Sequence, residues 1–123
     1  MNKEQKLKII ESNISTLENN GLNPVFKNGG YSYSKNITNI FTLLDEYSEK
    51  YYKFEPAINK KNEVKMQNCN FENYALMDCI YYFNTIWHLE TGIAVGIVIS
   101  RVESGEYLKA LKRFKNLIEN EAW

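Results

Sequence analysis

The sequence predicts an all-α protein: one helical domain over residues 1–123, a bundle of about four helices whose long third segment is buried. Three observations predict it. Apolar residues recur at spacings of three and four in several separate stretches, the period of a helix face. Clusters of Gly, Pro and Asn punctuate those stretches. Only residues 25–33 offer a strand that has a partner. A chain of 123 residues, 44% apolar, can bury one core and leaves no room for two ordinary domains.

The first helix is expected over Lys3 to Asn20, where Leu7, Ile10, Ile14 and Leu17 make one stripe with Lys6, Lys8, Glu11 and Glu18 largely off it. Asn19, Asn20 and Gly21 tolerate the left-handed conformation that ends a helix. From Leu22 to Ser34 the pattern dissolves around Pro24 and Asn28-Gly29-Gly30. Val25-Phe26-Lys27 turning into Tyr31-Ser32-Tyr33 gives this loop the character of a short hairpin, which must lean on the helices to be stable. A second helix is expected from about Ile37 to Phe54, along Ile40, Phe41, Leu44, Tyr47 and Tyr51, with Asn36 as its cap. Pro56 stops it at Glu55. Residues 57–68 are polar and rich in Lys and Asn, and read as a connector, with a short strand as the lesser alternative.

The third helical segment is expected to start from a cap at Asn70. It is amphipathic at first and then apolar on every side from Ile80 through Leu89, as a central helix is. The stretch from Gly92 to Ser100 is rich in β-branched residues, which favours a strand. Gly92, Gly96 and Ser100 would share a face in either conformation, and the lack of a strand partner tips the reading to helix. Ser104-Gly105 breaks the chain. The last helix runs from Glu106 to about Asn120 on a stripe of Tyr107, Leu108, Leu111, Phe114, Leu117 and Ile118.

Charge and chemistry narrow the function by exclusion. Fifteen Lys and Arg balance fifteen Asp and Glu, which argues against a globally basic nucleic-acid module and against an acidic DNA mimic. The N-terminal residues lack the apolar core of a signal peptide, and the longest apolar run, Ile93 to Ile99, falls short of the roughly 20 residues of a membrane span. The two cysteines then read as reduced thiols of a cytosolic protein. Cys69 and Cys79, ten positions apart on a helix, stand about 15 Å apart, too far for a disulfide or a shared metal. His88 is the only histidine, so a zinc-protease pair is impossible, and the Pro-Cys-x-x-Cys that a zinc deaminase needs after His-x-Glu is missing. No phosphate-binding glycine pattern occurs. No catalytic residue, metal or cofactor is therefore expected.

Two features remain. Asp78, Glu90, Glu103 and Glu106 stand against a single Arg101 and give the middle of the chain a negative character. Aromatic residues make up 14% of the chain, and Tyr31, Tyr33, Tyr52 and one of Tyr81 and Tyr82 sit where burial is not demanded. Tyr is favoured at interfaces because a rigid ring carries both apolar area and a hydroxyl.

The size, the lack of a catalytic motif, the Asn/Lys/Ile/Tyr-rich composition and the C-terminal half TIWHLETGIAVGIVISRVESGEYLKALKRFKNLIE resemble the small immunity proteins of bacterial contact-dependent growth inhibition and other polymorphic toxin systems. The resemblance implies a cytoplasmic protein that binds one cognate toxin domain, often a nuclease, and occludes its active site or nucleic-acid surface, with no membrane or direct nucleic-acid contact. On that reading the contact falls on Asp78, Glu90, Glu103 and Glu106 with Tyr31 and Tyr33 nearby. The rival is a homodimeric helical regulator or assembly subunit packing through the Gly92/Gly96/Ser100 face. A small enzyme built on His88 and Glu90 is a third reading.

Overall fold

The structure, a computed structural model, describes residues 1–50 and 70–121. Helix α1 spans Lys3–Asn19, followed by strands β1 (Val25–Lys27) and β2 (Gly30–Ser32). Helices α2 (Lys35–Thr38) and α3 (Ile40–Lys50) come next, then a single 3-10 turn at Phe71–Asn73. The chain closes with α4 (Leu76–Glu90), α5 (Ile97–Glu103) and α6 (Glu106–Glu119). The described residues are mostly helical, with one small antiparallel sheet. Among the described residues four helices exceed ten residues, and the two short ones show that a plain four-helix bundle is not an exact description.

Local chemistry explains the ends of α1. Asn2 Oδ1 accepts from the Gln5 amide at 2.8 Å while Gln5 Oε1 accepts from the Asn2 amide at 2.9 Å, a reciprocal capping box. Gly21, at φ +75°, carries the chain away. α1 runs antiparallel to α6, as the ion pairs Glu11–Lys115, Glu18–Lys112 and Lys3–Glu121 show. These pairs are solvent-exposed and mark the register more than they stabilise it.

α4 is the central helix. Most of its residues are buried, from Leu76 and Cys79 to Ile86 and Trp87. Both Tyr81 and Tyr82 are inside, although the sequence demanded burial of only one of them. An aromatic chain runs through the core: Phe71 meets Tyr82 edge-on at 5.2 Å, and Phe83 meets Tyr107 edge-on at 5.2 Å and stacks on Phe114 at 5.7 Å. Such pairs contribute beyond their buried area, about 1 kcal/mol each.

Three element boundaries differ from the sequence expectations. The helix expected from Ile37 begins earlier, with Ser34 rather than Asn36 at its cap position, and is interrupted at Asn39, the C-cap of α2. There the Asn13 side chain of α1 donates to Asn39 Oδ1 at 2.6 Å. The far end of that helix, Tyr52, the connector 57–68 and Cys69 lie outside the described residues. Asn70 precedes only the 3-10 turn. The long helix starts at Leu76, where Asp78 Oδ2 accepts from the Ala75 amide at 2.8 Å. Finally, Gly92 to Gly96 is neither helix nor strand but a turn, and helix resumes only at Ile97.

The hairpin has the expected residues. Val25 faces Ser32, Phe26 faces Tyr31 and Lys27 faces Gly30. Asn28 and Gly29 take φ of +54° and +79°, the two left-handed positions of the tight turn that suits the twist of a hairpin.

Candidate protein-interaction surface

The hairpin rests on the C-terminal end of α4 and on the turn that follows it. Tyr33 meets Trp87 edge-on at 5.2 Å, and Phe41 of α3 meets the same indole at 4.8 Å. Trp87 is itself buried and donates through Nε1 to the Tyr107 hydroxyl at 3.0 Å, which fixes it to the core. From this anchor the aromatic row extends outward through Tyr31, 6.5 Å from Tyr33, to Phe26, which meets Tyr31 edge-on at 5.0 Å. A Cβ placed on Gly96 would lie 3.7 Å from Tyr31, so the 92–96 turn passes directly beside the hairpin.

Among the described residues, this end holds most of the large exposed apolar side chains. Phe26 is 61% exposed, Val25 59% and Ile93 72%, with Val95 and Phe41 also exposed. Scattered apolar residues on a surface are ordinary, but Phe26 and Phe41 are joined by ring contacts to a buried Trp, and Val25, Ile93 and Val95 belong to the strand and turn beside them, which makes a patch.

Glu90 holds the patch together from below. Its carboxylate is buried, and Oε2 accepts from the Gly96 amide at 2.8 Å while Oε1 accepts from the Val98 amide at 3.0 Å. Gly96 is the N-cap of α5 and has no side chain with which to cap it. Glu90 supplies the missing acceptor from the preceding helix and pins the turn in place. The Tyr33 hydroxyl lies beside this carboxylate. Burial first, and then Glu90, push its pKa well above that of a free phenol.

The residues named from sequence therefore divide. Tyr31, Tyr33 and Glu90 come together at this end, but Glu90 is an internal staple rather than a surface charge. Glu106 lies elsewhere and is largely enclosed: Oε2 accepts from the Tyr82 hydroxyl at 2.6 Å and pairs with Arg101 Nε at 3.2 Å. Burial and that carboxylate push the Tyr82 phenol far upward. Asp78 caps the far end of α4. Glu103 alone of the four is exposed. The continuous acidic face expected beside the aromatic loop is thus dispersed, because three of the four carboxylates serve the chain's own backbone or side chains.

The Gly92/Gly96/Ser100 ridge is corrected as well. Gly92 and Gly96 adopt φ of +145° and +94° within the turn and Ser100 belongs to α5, so the three form no common helix face. Cys79 is a buried free thiol whose pKa burial pushes up to about 12, which suits packing and not nucleophilic attack. Among the described residues no group of three or more His, Cys, Asp or Glu side chains is placed to hold a metal ion, and no helix is long and apolar enough to cross a membrane. The sequence reading missed Phe26, Phe41, Ile93 and Val95. The available signal was the alternation of Phe26, Tyr31 and Tyr33 onto one face of the hairpin. No family model, curated protein or solved structure matches the chain.

Proposed function

We propose that this chain is a binding protein that neutralises a cognate toxin domain by covering it with the surface formed by the hairpin, Phe41 and the 92–96 turn. The observation that carries this is the aromatic row from Trp87 out to Phe26, rooted in the core and open at its tip. Interfaces draw most of their affinity from a few rigid aromatic side chains held in place before binding, and this row has that form. Its resemblance to immunity proteins supplies the kind of partner. A nuclease with a basic cleft was the target suggested by the carboxylates. With Glu90 and Glu106 engaged internally, apolar contact supports the reading better than charge does. The homodimer reading loses its small-residue ridge, and no other observation favours it.

The test is protection. Cells expressing the C-terminal domain of a large secreted protein encoded immediately upstream should survive when this chain is co-expressed. Paired Phe26→Ser and Ile93→Ser substitutions touch only exposed side chains and should abolish protection while leaving the circular dichroism spectrum unchanged. Failure of the unaltered chain to protect would reject toxin neutralisation, and full protection by the folded double variant would reject this surface.

A further inference from the structure

Among the described residues the hairpin is a sheet of only two strands, and nothing pairs with the outer edge of β1. All three residues of β1 are exposed, while Gly30 and Tyr31 of β2 are half-buried, with Tyr31 beside Gly96 of the 92–96 turn. The two-residue turn makes Lys27 and Gly30 a hydrogen-bonded pair, so the next pair, Phe26 and Tyr31, points its N–H and C=O groups away from the partner strand. Phe26 therefore offers a free donor and a free acceptor along the outer edge of β1, and among the described residues no backbone group bonds to them. Such an edge is a template for one more strand.

The charges around it indicate what kind of strand. From Asn19 to Leu44 the only charged residues are Lys27 and Lys35, and from Thr91 to Ser100 there are none. Neither lysine forms an ion pair among the described residues. A second copy of this chain would bring four lysines together with no facing carboxylate, the arrangement by which natural sheets discourage self-pairing. A lipid surface would match the cations and rings but would leave the Phe26 backbone groups without hydrogen-bond partners in hydrocarbon. A polypeptide supplies all three needs.

We infer that the free edge of β1 takes up an extended polypeptide segment of the partner, apolar along its length and flanked by acidic residues, which adds as a third strand beside Phe26 with its acids against Lys27 and Lys35. The identity of the segment as part of a toxin rests on the reading above; the mode of contact does not.

The probes are two synthetic peptides with one alternating Val/Thr core, one flanked by Glu and the other by Lys. Each is titrated into the 15N-labelled full chain and followed by amide chemical shifts. The Glu-flanked peptide should shift the Phe26 amide and its neighbours and bind at least about tenfold more tightly than the Lys-flanked one. Phe26→Pro, which removes an outward N–H, should abolish binding, whereas Phe26→Ala should only weaken it. Because proline could disturb the hairpin, a second variant, Lys27→Glu with Lys35→Glu, keeps the backbone and should reverse the preference between peptides. Equal binding of both peptides, shifts centred away from β1, or binding to phosphatidylserine vesicles instead of either peptide would overturn strand addition. Peptide binding at β1 without protection would reject the toxin reading alone. Protection that survives the charge reversal, with no peptide binding, would reject the strand alone.

Discussion

At Glu90 a single carboxylate does what a helix beginning on glycine cannot do for itself. The Gly96 and Val98 amides at the start of α5 both donate to it, and they come from a segment six to eight residues further along the chain. Glu90→Gln keeps the size of the side chain but places an amide NH2 against a backbone N–H, so one bond is lost and the other weakens. Hydrogen bonds to a charged group stabilise by about 1.5–3 kcal/mol, and a loss near 2 kcal/mol in urea denaturation is expected. An unchanged midpoint would show that the turn holds its shape without the carboxylate. In the sequence, Glu90 is simply one acid among four. That Asp78, Glu90 and Glu106 are engaged by the chain itself was not legible there, because the Ala75, Gly96 and Val98 amides and the Tyr82 hydroxyl carry no charge and are brought to them by the fold; only Arg101, beside Glu106, could be noticed in the sequence.

Elements were legible where one face of a helix sets the spacing. The stripe Tyr107, Leu111, Phe114, Ile118 fixes α6, and Asn28-Gly29 fixes the hairpin turn, because in both cases the information is local. The break at Asn39 was hidden: Ile37, Ile40 and Phe41 keep a helical spacing on both sides of it, and the bond that accompanies it comes from Asn13 of another helix. The 92–96 turn was hidden for the opposite reason, since its β-branched residues argue for a regular strand and its glycines for a regular ridge. In the structure the glycines serve the turn. Gly96 at φ +94° sits where an L side chain is strained, so Gly96→Ala should cost about 1–3 kcal/mol and loosen the packing of the turn beside Tyr31. The expected readout is a lower midpoint in thermal unfolding together with shifted Tyr31 ring resonances. An unaltered midpoint would mean the turn relaxes freely and does not support the hairpin. The interaction surface was half legible for a related reason. Tyr31 and Tyr33 stand out as polar-tipped rings, whereas Phe26 reads only as a hairpin residue and Ile93 and Val95 only as part of an apolar run, and it is the fold that leaves them outside.

The molecule as a whole places acids that ionise only at high pH inside its core. Tyr82 and Tyr107 are buried phenols and Cys79 a buried thiol, and burial raises the pKa of all three, in Tyr82 with help from Glu106. Each group ionises more easily in the unfolded chain, near 9.0 for the thiol and 10.0 for the phenols. Above those values the native state therefore holds protons that the unfolded state has lost, and unfolding is favoured as pH rises. The sign is definite: the contribution is complete below about pH 9 and declines from there up to and beyond the folded pKa of Cys79, about 12. Once pH exceeds its unfolded value, each such group can withdraw up to about 1.4 kcal/mol per pH unit. Three together could exhaust the 5–15 kcal/mol typical of a small domain within roughly two to three units. Stability in urea should thus be flat from pH 7 to 9 and fall steeply by pH 11. Tyrosinate absorbance near 295 nm should rise in two stages, the exposed phenols first and the buried ones only together with the loss of helical circular dichroism. Smooth ionisation of every tyrosine while the helices persist would show that water reaches Tyr82 and Tyr107 in the native state, and that the aromatic chain from Phe71 to Phe114 is not the closed core described above.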